Sequence, residues 1–379
     1  MARVCVVGAG VVGACAALRL TQAGADVTVI DAGPPAGGTS ATSFAWGGAS
    51  HHGLRDYLEL HVDGLRAYRR LELEMDARAW YGRTGCLTWR SDPAAAGSLA
   101  AHLEDLGRRG YPASWLTPAA VTRDLEPDLR FAAGVGEVAF LPDEAHVAAV
   151  PMVRDVLGAA RAGGAVVRTG ARVREIALRG DAVAGVTLAG GETIAADRVV
   201  VCGGRGSSEV VATAGGHLPL LDPDTPGSPA LGLLVVTAPL PARVRRVLYA
   251  DELMVRPDGG ARLMLHSDPH DAELAAAPGT DPAPLAGAVL GELRRHLDGA
   301  EHASVEATRI GRRVLTPDHL PAVGWIGDAA GLYVAATHSG VSLAPVLGEL
   351  IADEVARERP SPALDRFRPT RFAKELSNA

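Results

Sequence analysis

The stretch Arg3–Asp31, RVCVVGAGVVGACAALRLTQAGADVTVID, decides the fold. Val4 to Val7 form a short apolar, β-branched run, which predicts a strand buried on both faces. Gly8, Gly10 and Gly13 follow at once in a G-x-G-x-x-G pattern. Ala14 to Thr21 predict a helix of small and apolar residues stopped near Gly24, and Val27 to Ile30 predict a second strand ending at Asp31. The three glycines serve different ends. Gly8 permits the tight turn, Gly10 lets the backbone approach a pyrophosphate, and Gly13 lets helix and strand pack closely. The helix N-terminus offers free N–H groups and a positive dipole end to phosphates. Asp31 is placed to accept hydrogen bonds from a ribose, while a 2′-phosphate would be repelled there. The stretch therefore predicts dinucleotide binding, without separating NAD from FAD.

The chain has 379 residues, 47% of them hydrophobic, and a net charge of −7. This is enough for a large core and, by length, two or three domains. A mildly acidic chain with no basic cluster interleaved with aromatics argues against nucleic-acid partners; Arg309, Arg312 and Arg313 are the nearest thing to a basic knot. No window is apolar for long enough to span a bilayer, and residues 1–7 read as strand rather than as a leader, which points to the cytosol. Cys5, Cys15, Cys86 and Cys202 are widely spaced and form no C-x-x-C, so they read as small buried hydrophobes. No metal site is expected from the cysteine and histidine spacing.

From Ala32 to Gly53 the chain is rich in glycine, proline and hydroxyls and predicts a long ordered loop. Phe44, Ala45 and Trp46 are apolar within it, which suggests packing on something flat or in the core. His51 and His52 would point to different sides of a regular element, in a solvated or core role. Helices are predicted at 54–75, 93–109, 117–125, from Pro151 to about 162, 284–297 and 341–356; strands at 77–90, 131–141, 171–178, 182–188 and 332–336. The run Ala196–Gly204, ADRVVVCGG, reads as a buried parallel strand ending in small residues where a ligand can approach the backbone. Residues 216–310 are strand-like and turn-rich, at 231–237, 244–248, 252–256 and 261–266, and predict an antiparallel sheet. Tyr249, Arg256 and His266 lie on these strands, and pocket-facing, buried and solvated roles stay open for them.

Four pieces together, GAGVVG with Asp31, GTSATSFAW, ADRVVVCGG and GRRVLTPDHLPAVG…GLYVAATHSGVSLAP, resemble the flavin-dependent amino-acid oxidase family of D-amino-acid oxidase, glycine oxidase, sarcosine oxidase and D-amino-acid dehydrogenase. The resemblance covers the whole chain. It implies an α/β fold in which a Rossmann-like FAD-binding domain (1–75, 145–215 and 310–379) is interleaved with a smaller α+β substrate domain built on an antiparallel sheet (76–144 and 216–309). It also implies FAD lying extended on Gly8, Gly10, Val11, Val12 and Gly13, with its ribose at Asp31 and Ala32. Thr39 and Ser40, with Gly203 and Gly204, would serve nearby, and Val173 would bracket the adenine through its backbone. The flavin edge would rest on Ser339, Gly340, Val341 and Ser342, with Ala45, Trp46 and Gly47 alongside the ring and Trp46 also forming the flavin-side pocket.

Arg313 stands three residues before Thr316, where amino-acid oxidases carry the arginine that pairs with the substrate carboxylate, and a guanidinium offers a planar fork for such a pair. Sarcosine oxidases hold their flavin-linked cysteine at this position, so Arg313 implies non-covalent FAD. Val314 replaces the family's usual proline, and His338-Ser339-Gly340 replaces its histidine–glycine turn. Lys374, the single lysine, sits in a polar tail and does not match the lysine associated with oxygen activation in sarcosine oxidases, so oxidase activity through that device is not expected, and the electron acceptor, O₂ or another carrier, stays open. The implied reaction is oxidation of a small or N-substituted amino acid by hydride transfer to flavin N5, giving an imine that water hydrolyses. Oxidation of a 2-hydroxy acid, and a non-catalytic dinucleotide-binding role, are the alternatives.

Overall fold

The computed structural model describes residues 1–75 and 79–372. Arg3–Val7 lies in the middle of a six-stranded sheet, parallel to Asp26–Ile30 on one side and Arg198–Val201 on the other. Val166–Arg168 closes one edge, and Leu332–Ala336 followed by antiparallel Ala322–Trp325 closes the other. Val4, Cys5 and Val6 are at most 1% exposed, as a strand covered on both faces requires. Helices Val11–Gln22, Ala149–Ala162 and Gly340–Val355 cover one face. Their small residues let two of them pack backbone to backbone: a Cβ at Gly348 would lie 2.7 Å from the Cys15 carbonyl oxygen. The other face is covered by a three-stranded antiparallel sheet, Val173–Arg179, Ala182–Leu188 and Thr193–Ala195.

A second, eight-stranded sheet runs Val305–Arg312, Leu231–Thr237, Leu263–Ser267, Leu253–Pro257, Val247–Ala250, Cys86–Trp89, Val138–Leu141, Ser114–Leu116. The period-2 alternation sorts its side chains. Leu233, Val235, Leu253, Val255, Leu263 and Leu265 pack with residues of helices Asp268–Ala276 and Ala283–His296. Their neighbours Leu234, Met254 and His266 line a cavity.

Four expectations change. The antiparallel sheet contains one parallel pair, Val247–Ala250 beside Cys86–Trp89. The expected strand 77–90 is two short ones, Tyr81–Gly82 and Cys86–Trp89, with Gly85 between them at φ +87°; residues 76–78 lie outside the described part. The strand expected at 131–141 begins only at Val138. Residues 216–310 also hold a helix that the strand pattern conceals, Asp268–Ala276, which starts on Pro269 with Asp268 and Asp271 in its first turn. All four cysteines are buried and free of disulfides. No described helix is long and apolar enough to cross a membrane.

Candidate active site

The glycine turn opens into a cavity of about 430 Å³ that runs from Gly8 and Asp31, past Ser40 and Gly203, to Thr337 and Gly340. Gly8 sits at φ +110°, and a Cβ there would meet the Cys202 carbonyl oxygen at 2.4 Å. A Cβ at Gly13 would lie 1.9 Å from the Gly8 carbonyl oxygen, so helix and turn touch only because both residues are glycine. The Asp31 carboxylate accepts the Ala9 N–H at 2.7 Å and the Gly33 N–H at 2.8 Å, which fixes it at the cavity wall. Each oxygen keeps a lone pair for a ribose hydroxyl. Ser40 Oγ accepts the Val11 N–H at 3.2 Å, and no acid stands in the first turn of that helix. The helix Gly340–Val355 also starts at the cavity without a first-turn acid. Two positive helix ends along one glycine-walled cleft fit an extended dinucleotide.

A second cavity of about 310 Å³ shares Thr39, Thr42, Ser43, His338 and Val341 with the first, so one leads into the other. Its walls are Phe44, Trp46, Leu234, Tyr249 and Met254, with Arg313 and His266 among them. The loop 43–50 reaches this place by a defined route. Ala45 is held at φ +58° by its N–H to Ser43 Oγ (3.0 Å) and by its carbonyl, which accepts the Val147 N–H (2.9 Å). Trp46 donates its indole N–H to Glu144 Oε2 at 2.9 Å, and Ser342 Oγ donates to the Trp46 carbonyl at 2.7 Å. Glu144 is fully buried, and its Oε1 accepts from Tyr111 Oη (2.9 Å), Ser50 N (3.0 Å) and Ala49 N (3.3 Å).

Arg313 Nη1 donates to the carbonyls of Pro229 (2.9 Å) and Leu231 (3.2 Å). Its Nη2 donates to Asp271 Oδ2 and lies 2.9 Å from His266 Nε2. The guanidinium fits because residue 232 is glycine, where a Cβ would come within 2.7 Å of Nη2. Burial alone would raise the Asp271 carboxyl; the hydrogen bond from His266 and the charges around it outweigh burial and hold it below the usual range. His266, Asp268 and Asp271 stand close enough to share a metal ion, but Arg313 already supplies the cation against His266 and Asp271.

His51 and His52 do not part as expected, because the loop carrying them is irregular. Their rings lie 3.9 Å apart, and His52 lies 3.8 Å from buried His61, whose Nδ1 meets the Gly48 carbonyl at 2.9 Å. Burial, then the crowding of imidazoles that cannot all be charged together, keeps these rings neutral, with His51 pushed down to about 4. Burial, then the Arg313 charge, pushes His338 down to about 3.

Of the residues singled out from sequence, Gly8, Gly10, Val11, Val12, Asp31, Thr39, Ser40, Gly203, Gly204 and Gly340 line the first cavity. Ala45, Trp46, Arg313, Ser339 and Ser342 line the second, and Thr39 and Val341 line both. Gly13, Ala32, Gly47 and Val173 line neither. Tyr249 and His266 face the second cavity. Arg256 does not: it is buried, donating to the carbonyls of Phe44 and Pro257 and to Asp258. Sequence reasoning overlooks Asp271, Glu144 and Arg205, of which Arg205 alone carried a local signal, directly after the Gly203-Gly204 pair; it lines the first cavity and donates to the Leu221 and Arg313 carbonyls. Lys374 lies outside the described residues.

A glycine-walled cleft with two helix starts that opens into an aromatic pocket with a fixed arginine is the geometry of a nucleotide-cofactor oxidoreductase. The chain belongs to the DAO family of FAD dependent oxidoreductases, whose model matches residues 3–354, and FAD is its cofactor. It is 28% identical to the uncharacterized oxidoreductase YurR of Bacillus subtilis over 96% of this chain and 97% of that one. It is 29% identical to D-amino acid dehydrogenase 2 of Pseudomonas aeruginosa, over 95% and 96% of the two chains. Among solved structures, glycine oxidase from Geobacillus kaustophilus superposes with a TM-score of 0.83 at 24% identity, covering 98% of this chain and 99% of that one.

Proposed function

We propose that the protein oxidises a small amino acid or N-substituted amino acid, with the substrate carboxylate on Arg313. The observation that carries this reading is the guanidinium fixed by Pro229, Leu231 and Asp271 at the wall of the cavity that continues the dinucleotide cleft. FAD, bound non-covalently along Gly8, Asp31, Ser40 and Gly340, supplies the two-electron acceptor. The protein's own part is orientation and electrostatics. Arg313 grips one end of the substrate, and Phe44, Trp46, Leu234, Tyr249 and Met254 exclude water around the other. Apolar walls disfavour an ammonium and so favour the neutral amine from which a hydride can leave. The start of the helix Gly340–Val355 favours negative charge beside it.

The test is anaerobic mixing of the yellow protein with D-amino, L-amino, N-methyl and 2-hydroxy acids. Bleaching by amino acids is expected; bleaching by hydroxy acids alone overturns the amine reading. Arg313→Met is expected to raise KM for the carboxylate substrate by about a hundredfold, the loss of a charge-assisted bidentate contact. An unchanged KM removes Arg313 from this role.

A further inference from the structure

We propose that His266, positioned by Asp271, takes the proton that a zwitterionic amino acid must give up, and does so because the arriving carboxylate unbalances the charge at Arg313. This rests on the amino-acid reading above. Asp271 Oδ2 accepts from Arg313 Nη2 and lies 2.7 Å from His266 Nε2. Nε2 thus stands between the Asp271 acceptor and the Arg313 Nη2 donor at 2.9 Å; the carboxylate is the nearer, and the proposed tautomer has Nε2 donating to it while Arg313 Nη2 also donates to Asp271. The second oxygen, Oδ1, accepts the Leu233 N–H at 2.6 Å, which pins the carboxylate. His266 Nδ1 is then a lone pair, and it is buried without a hydrogen-bond partner. The ring itself stands on the cavity face of the sheet, between Leu234 and Met254 in register.

Charge counting gives the coupling. Asp271 already neutralises Arg313, and both are largely buried. A substrate carboxylate added to that pair leaves a net negative charge beside largely apolar walls, and Asp268 at the cavity's exposed side adds to it, which is costly unless a positive charge joins them. The groups facing His266 are Asp268 (3.8 Å from Nε2, exposed) and Asp271 from the helix Asp268–Ala276, Arg313 from the end of the edge strand, and His338 across the cavity, which burial and Arg313 keep neutral. The flanking strands and Phe44 bring apolar side chains. The imidazole is thus the group placed to become positive. In the proposed step an N–H bond of the substrate ammonium breaks as an N–H bond forms on Nδ1. The electron pair stays on the substrate nitrogen, and no electron is transferred in this step. Asp271 is a positioning residue; it fixes the tautomer and tempers the arginine.

Proton uptake on binding an amine-free carboxylate isolates this step from turnover. Propionate is titrated into the FAD-loaded protein at pH 8 in two buffers of different ionisation enthalpy. Uptake of about one proton per propionate is expected, with affinity falling about tenfold per pH unit. In His266→Asn both the uptake and the pH slope should vanish. In Asp271→Asn propionate should bind without uptake, because Arg313 alone balances it. No uptake by the unaltered protein overturns the inference, as does uptake that persists in His266→Asn or moves to His338. If Arg313→Met binds propionate as tightly as the unaltered protein, it is the carboxylate role of Arg313 that fails.

Discussion

Tyr68→Phe removes one hydroxyl, and its consequence is set by a proline on another helix. The helix Gly340–Val355 contains Pro345 in its second turn. Proline has no N–H, so the carbonyl four residues before it, that of Val341, loses its helical donor. Tyr68, fully buried on the helix Arg55–Glu74, donates its hydroxyl to that carbonyl at 2.6 Å. Tyr68→Phe leaves a buried carbonyl without a partner, a cost of about 1–3 kcal/mol. A double-mutant cycle tests the cause. Pro345→Ala restores the N–H at position 345, so Tyr68→Phe in that background should cost at least about 1 kcal/mol less. Urea midpoints of the four proteins, converted with a common m-value, give the coupling. Val341 also lines both cavities, so the single variant should bind FAD more weakly and recover on addition of Pro345→Ala. Equal costs of Tyr68→Phe in the two backgrounds refute the reasoning.

Glu144→Gln turns an amide N–H₂ toward the indole N–H of Trp46 while its oxygen keeps the three donors at Oε1. About 2 kcal/mol of stability should be lost together with a raised substrate KM, and an unchanged melting curve and KM would show that the loop 43–50 does not depend on this carboxylate. Glu354 is a pH case. Burial alone would raise it, yet the fork of Arg368 (2.8 and 2.6 Å), Tyr333 Oη (2.7 Å) and Ser361 N (2.8 Å) prevail and hold it below the ordinary range. Its contribution is therefore present above the unfolded glutamate pKa and is lost as pH falls through the lower, folded one. Glu354→Gln should lower the urea midpoint at pH 7 and narrow its gap to the unaltered protein in acid; an equal drop at both pH values contradicts the assignment.

The legible part of the fold is the part written in local pattern. Gly8, Gly10 and Gly13 announce their turn because their spacing is itself a local pattern, although Gly8 is required by Cys202 far along the chain and only Gly13 by a near neighbour, Gly8; strand 231–237 is readable as a continuous apolar, β-branched run. The helix Asp268–Ala276 is short and follows four strands, so its start signals, Pro269 and the first-turn acids, compete with a strong strand context. His51 and His52 are read as diverging because the alternation rule presumes a regular element, and the loop that stacks them is not one.

The site is harder, because its partners are far apart in the chain. Arg313 is recognisable by its place before Thr316, but Asp271, forty-two residues earlier, is met only through the order of the sheet. Strand 231–237 lies between the end of strand 305–312 and strand 263–267, and Gly232 leaves the gap through which the guanidinium reaches the first turn of the helix beyond. A larger residue at 232 would keep the arginine and lose the pair. Glu144 and Trp46 are likewise ninety-eight positions apart and joined only where Ala145–Val147 pairs with Trp46–Gly47. Motif position thus identifies which side chain enters the pocket, whereas its charge state depends on contacts that only sheet order creates. On the reading proposed above the difference matters chemically: a bare arginine would attract any carboxylate, and an arginine already matched by Asp271 would favour one that brings its own proton.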